Sequence, residues 1–195
     1  MLAHAKKRAP AVGLLVAGLL LAAGGVFLLG RGGDEASADY GVTGAERAAE
    51  GDPAPDFVLE DTRTGRAFTL SEFRGKPLLV NFSATWCVTC VAEFRNFEQA
   101  QQVMGDRGQI LVVDYHQPRQ IVLDLIVPLK IDNVPVLLDT DGEVTDHYRV
   151  QGLPTTILVD ADGTVIRVGR GYMSPQVIRD AFADLGLQYD LPAGE

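Results

Sequence analysis

The stretch from Lys76 to Tyr115 restricts the fold more than any other part of the chain. It holds two short apolar runs, KPLLVNF and QILVVDY, each the right length for one buried strand. Between them, CVTCVAEFRNFEQAQQVM places Cys90, Phe94 and Phe97 at i, i+4 and i+7, with Val91 adding to that face. This is the apolar stripe of an amphipathic helix, and Gly105 supplies a stop. Strand, helix and strand in that order imply a parallel strand pair joined by a crossover helix.

The flanking segments extend this unit. DFVLEDTRTGRAFTL reads as an N-terminal hairpin around Thr64-Gly65. QPRQIVLDLIVPLKI reads as a second helix that ends near Pro128, VPVLLD as a short extended piece, and GEVTDHYRV as one or two helical turns. TTILVD and TVIRVG form an antiparallel pair about Asp162-Gly163. SPQVIRDAFADLGL closes as a helix, with Ser174 as N-cap, Pro175 at the first helical position and Gly186 near its end. The fold class is α/β, a mixed central sheet with helices on both faces, spanning residues 53–190 and followed by a tail, 191–195.

Upstream, residues 1–8 form a basic flank with Lys6, Lys7 and Arg8, and residues 9–30 carry no charge. About 22 residues at 1.5 Å each give roughly 33 Å, enough to cross a hydrocarbon core of ~30 Å. The preceding positive charges place the N-terminus in the cytoplasm and everything after Arg31 on the extracytoplasmic side of the cell membrane. The reading is a single-pass transmembrane signal-anchor followed by a flexible linker, 31–52. A cleaved signal peptide is the alternative, with Ala36-Ser37-Ala38 as the small-x-small site, although the apolar run exceeds the usual h-region. Both readings export the folded part.

The formal net charge is −9, and the basic flank takes three of the 17 cationic groups. That leaves 14 against 26 acidic groups, a balance that excludes a nucleic-acid backbone as partner. The chain has two cysteines, Cys87 and Cys90, in NFSATWCVTC beside its one tryptophan. Two cysteines are too few for a disulfide scaffold or a structural zinc site. If the helix starts near Cys87, its unpaired N–H groups and dipole favour a thiolate there, which makes Cys87 the nucleophile. Cys90, one turn further in, is more buried and resolves the mixed disulfide. A permanent disulfide stays open as a reading, but a loop this short removes little chain entropy. A copper site using both thiolates with His116 or His147 also stays open, although no local spacing ties either histidine to the cysteines.

APDFVLEDTRTGRAFTLSEFRGKPLLVNFSATWCVTCVAEF, together with VLLDTDGEVTDHYRVQGLPTTILVDADGTVIRVGRGY, resembles the thioredoxin superfamily. Within it the likeness is to membrane-anchored extracytoplasmic thiol–disulfide oxidoreductases of the TlpA/ResA type, over roughly residues 53 to 188. The resemblance implies a thioredoxin-like fold with Cys87 as nucleophilic and Cys90 as resolving cysteine. It implies Trp86 as the flanking aromatic and Pro154 as a cis proline facing the disulfide, leaving the Leu153 backbone free to pair with an extended substrate. Glu93, which also shares a helix face with Cys90 at i, i+3, matches an acidic residue that tunes the thiols or carries their proton. Two positions depart from the pattern. Asn81 stands where cytoplasmic thioredoxins carry a buried aspartate, and Thr89 stands where proline is frequent.

The expectation is therefore an enzyme exchanging disulfides with exported proteins. It would work as a reductant, with apocytochrome c haem-binding cysteines as a family-level substrate in cytochrome c-type biogenesis. The redox-active Cys87–Cys90 pair is its only prosthetic feature, with no cofactor and no metal, and a membrane electron donor recharges it. The alternatives are a copper-binding protein or metallochaperone, and a thiol peroxidase. The latter family places a proline and a threonine ahead of its cysteine, whereas no proline lies between Pro77 and Cys87.

Overall fold

The computed structural model describes residues 41–43 and 48–188. The apolar run 9–30, the basic flank and the tail lie outside the described residues. Among the described residues no helix is long and apolar enough to cross a membrane.

In chain order the elements are β1 (Gly41–Thr43), β2 (Asp56–Asp61), β3 (Ala67–Thr69), β4 (Leu78–Ser83), α1 (Val88–Met104), β5 (Gln109–Tyr115), α2 (Arg119–Leu129), β6 (Val136–Asp139), α3 (Glu143–His147), β7 (Thr155–Val159), β8 (Val165–Arg170) and α4 (Pro175–Asp184). The sheet runs β1-β2-β6-β5-β4-β7-β8, with β3 also paired to β2. β4, β5 and β6 are mutually parallel, and the remaining pairs are antiparallel. The predicted hairpin, crossover unit and closing pair are all present, and so is the mixed sheet.

Every residue of β4 is buried, as expected for a strand covered on both faces. Alternation sends Leu79 to one side and Val80 and Phe82 to the other. On the Leu79 side, Phe94 and Phe97 of α1, Val122 and Ile126 of α2, and Ile178 and Phe182 of α4 form one apolar layer. On the opposite side, Val144 of α3, Tyr148 and Leu70 close over Val80 and Phe82. Full burial of a phenylalanine such as Phe94 or Phe97 stabilises the fold by about 1.5–3 kcal/mol. α1 is thereby pressed along the sheet with its N-terminus at the end of β4.

Part of the stretch read as a linker is ordered against the sheet. Gly41–Thr43 pairs with β2, Gly51 N–H donates to Val165 C=O at 2.8 Å, and Val165 N–H donates to Asp52 C=O at 2.9 Å. Backbone groups make these bonds, so the small polar side chains give no sign of them.

Candidate active site

The local sequence dictates where the sulfurs stand. After Ser83 the chain leaves β4, turns with Cys87 N–H donating to Ala84 C=O, and enters α1 with Cys87 as its N-cap. Cys87 is extended, at φ −86° and ψ 100°, and its Sγ accepts from Cys90 N–H at 3.3 Å. That sulfur fills the place usually taken by a serine or aspartate oxygen, where helix N–H groups lack partners. Cys87 and Cys90 are joined as a disulfide, with Cα atoms 5.2 Å apart. Cys87 is half-buried and Cys90 wholly buried. The sulfur expected to meet a partner is therefore the accessible one.

The surroundings divide into a rim and a floor. On the rim, Trp86 is 63% exposed and Val88 84% exposed, an apolar pair flanking the bond. The Leu153–Pro154 peptide is cis, with Pro154 buried and Leu153 half-buried. Pairing between β7 and β8 begins only at Thr155 and Arg170, so the Leu153 peptide lies outside that ladder. An open depression of about 400 Å³, lined by Gln151, Gly152, Leu153, Pro154, Arg170 and Gly171, borders it.

On the floor, Glu93 lies one turn below Cys90 and is fully buried. Its Oε1 accepts from Met173 N–H at 2.6 Å and its Oε2 from Asn81 Nδ2 at 3.3 Å. Asn81 Nδ2 also donates to Thr156 Oγ1 at 3.0 Å. Burial pushes the Glu93 carboxyl up to about 7, and the Met173 and Asn81 hydrogen bonds offset only part of that rise. A group poised near neutrality can take and return a proton under physiological conditions. Glu93 is thus sealed from solvent, and Asn81 is its partner.

Sequence reasoning missed Asp114 at the end of β5, which is fully buried and pushed up to about 7 by burial. The signal was present in QILVVDY, an acid at the end of an otherwise apolar run. Of the histidines considered for copper, His116 is exposed just past β5 in left-handed backbone, and His147 ends α3. Among the described residues no group of three or more His, Cys, Asp and Glu side chains is placed to hold a metal ion.

A Cys-x-x-Cys disulfide capping a helix, a buried acid one turn further along that helix and a cis-proline peptide leading into the strand paired with β4 define a thioredoxin-like thiol–disulfide exchange protein. The Redoxin family profile matches residues 49–185. Thiol-disulfide oxidoreductase ResA of Bacillus subtilis is 38% identical over 138 residues, covering 70% of this chain and 76% of that protein. Thiol:disulfide interchange protein DsbE of Escherichia coli is 30% identical over 155 residues, covering 78% and 82%. Among solved structures, a thioredoxin family thiol:disulfide interchange protein from Chlorobium tepidum superposes with a TM-score of 0.62 at 27% identity, covering 69% of this chain and 96% of that one. The chain belongs to the redoxin family, among the ResA- and DsbE-type thiol–disulfide oxidoreductases.

Proposed function

We propose that this thiol–disulfide oxidoreductase works outside the cytoplasm as a reductant of protein disulfides, held at the membrane through residues 9–30 and recharged by a membrane electron donor. The observation that carries the exchange chemistry is the asymmetry of the pair: Cys87 caps α1 at the surface, and Cys90 is enclosed above Glu93. In the reduced form the Cys87 thiolate attacks a substrate disulfide; one substrate sulfur bonds to Cys87 and the other leaves and takes a proton from water. Cys90 then gives its proton to Glu93 and attacks Cys87 Sγ. The mixed disulfide breaks, the second substrate sulfur departs as a thiol with that proton, and the Cys87–Cys90 bond closes. A donor dithiol runs the same steps in reverse.

The rim supplies docking. Trp86 and Val88 offer apolar contact, and the Leu153 peptide beside Pro154 offers backbone hydrogen bonds to an extended segment. Such a site takes a cysteine-bearing stretch of unfolded chain, which suits apocytochrome c before haem attachment. The resemblance to ResA-type proteins supports that substrate. The N-terminal charge pattern supports the location.

The test is capture. A Cys90→Ser variant of the full chain, expressed in cells, should accumulate mixed disulfides through Cys87, and mass spectrometry should identify the attached exported proteins and donor. Cys87→Ser should capture nothing. Equal capture by both variants would refute the assignment of Cys87 as the attacking sulfur.

A further inference from the structure

β4 and β5 run parallel, in a register that sets Asn81 beside Val112 and Ser83 beside Asp114. With a two-residue alternation, Asn81 and Ser83 share a face of β4, and Ile110, Val112 and Asp114 share the same face of β5. Ile110 and Val112 belong to the layer closed by Phe94 and Phe97 of α1. Asp114 thus lies in the layer between sheet and α1 that also receives Glu93 through its bond to Asn81. Ser83 and Asp114 are both fully buried. Neither Asp114 carboxyl oxygen, nor the Ser83 hydroxyl, has a hydrogen-bond partner.

Asp139 on β6 shows what a structural aspartate looks like in this sheet. Its carboxyl accepts from Val144 N–H at 3.2 Å, Thr145 N–H at 2.8 Å and Thr145 Oγ1 at 2.5 Å, tying α3 to the strand. Asp114 has no such role. A buried polar group left unsatisfied is the exception in folded proteins, and a redox or catalytic role is one of the reasons such a group is kept. The register sets Ser83 of β4 and Leu138 of β6 beside Asp114, and its face of the sheet is covered by α1, the helix that carries Cys90 and Glu93. Arg119, at the start of α2, is engaged by Glu60 and by Thr62 C=O. Burial is the sole cause of the rise in the Asp114 pKa, with no cation offsetting it.

We propose that Asp114 is a second buried acid of the exchange site, a positioning residue that governs how tightly Cys90 and Glu93 hold their protons. This deepens the function proposed above and rests on it. While Asp114 is neutral, it adds no charge to the layer and Cys90 can pass its proton to Glu93. Once Asp114 ionises, its charge raises the proton affinity of both groups and disfavours the thiolate-bearing reduced form. By reciprocity, reduction of the disulfide raises the proton affinity of Asp114, which draws a proton from solvent. The exchange itself still moves two electrons and breaks one S–S bond for each one formed.

The test compares the wild-type full chain with Asp114→Asn, which keeps the shape and cannot ionise. Each is equilibrated with dithiothreitol from about pH 5 to pH 9, and the reduced fraction is counted by alkylation. Comparison at equal pH removes the titration of dithiothreitol itself. The two curves should coincide below about pH 6 and separate above pH 7, with Asp114→Asn more readily reduced by about threefold to tenfold at pH 8.5. Coincident curves, a constant offset at every pH, or a separation confined to acid would overturn the proposal.

A second measurement covers the case where Asp114→Asn does not fold. The reduced-minus-oxidised infrared spectrum of Glu93→Gln should retain a protonated-carboxyl band that responds to reduction, and its absence would overturn the proposal. If dithiothreitol cannot reduce the wild-type chain at any pH, the exchange function fails instead, a result distinct from either of these.

Discussion

Replacing Glu93 by glutamine isolates the proton chemistry of the site. The carboxyl is raised from 4.5 to about 7, chiefly by burial. That rise corresponds to roughly 3 kcal/mol of penalty on the ionised form. The sign follows from linkage: the folded protein binds this proton more tightly than the unfolded chain does. Its contribution to stability is fully present below pH 4.5, falls as pH rises, and is lost once pH passes about 7. Glutamine keeps an oxygen for Met173 N–H and an amide that can donate to the unpartnered Asn81 Oδ1. It carries no such pH dependence.

Urea unfolding of the oxidised proteins from pH 4 to 8.5 should therefore show Glu93→Gln gaining on the wild type by up to roughly 3 kcal/mol, with the gain levelling off above pH 7. In stopped-flow measurements, resolution of the mixed disulfide by Cys90 should slow by about 10²-fold near neutrality, because the proton acceptor is gone. Stability curves that run parallel across the whole range, with resolution at the wild-type rate, would refute the reasoning.

Two further outcomes follow from the same geometry. Alkylation of Cys87 in the reduced protein should reach half its maximal rate well below the ordinary thiol value of about 8.5, with helix capping as the cause. A midpoint at or above that value would remove the argument for its activation. Glu98 accepts from Asp132 N–H at 3.1 Å, Asn133 N–H at 3.0 Å and Asn133 Nδ2 at 2.5 Å, fastening α1 to the loop before β6. Glu98→Ala should cost about 2–4 kcal/mol in urea unfolding at pH 7, and a loss under about 0.5 kcal/mol would show these bonds to be idle.

Much of this was legible in the sequence, because local rules set it. The helix starting at Cys87 follows from i, i+4, i+7 spacing and a strand just upstream. Ser174 and Pro175 mark α4, and Ser174 Oγ accepts from Val177 N–H at 3.2 Å as an N-cap should. Spacing alone put Glu93 on the face of Cys90. What spacing could not supply is depth. Glu93 is sealed by Met173, which arrives 80 residues later, and by an asparagine on a neighbouring strand. Asp114 looks like a polar strand end in one dimension, and it is buried because β4 and β6 flank it on both sides. The linker reading stopped too late for a related reason, since backbone pairing by Gly41–Thr43 leaves no trace in side-chain chemistry.

The position of Trp86 has a practical consequence. It is the chain's one tryptophan, sits 63% exposed, and directly precedes the sulfur that opens and closes. Disulfides quench indole emission at short range, so the protein carries its own optical readout. Its fluorescence should brighten as the bond opens, and turnover can be followed in real time without a label.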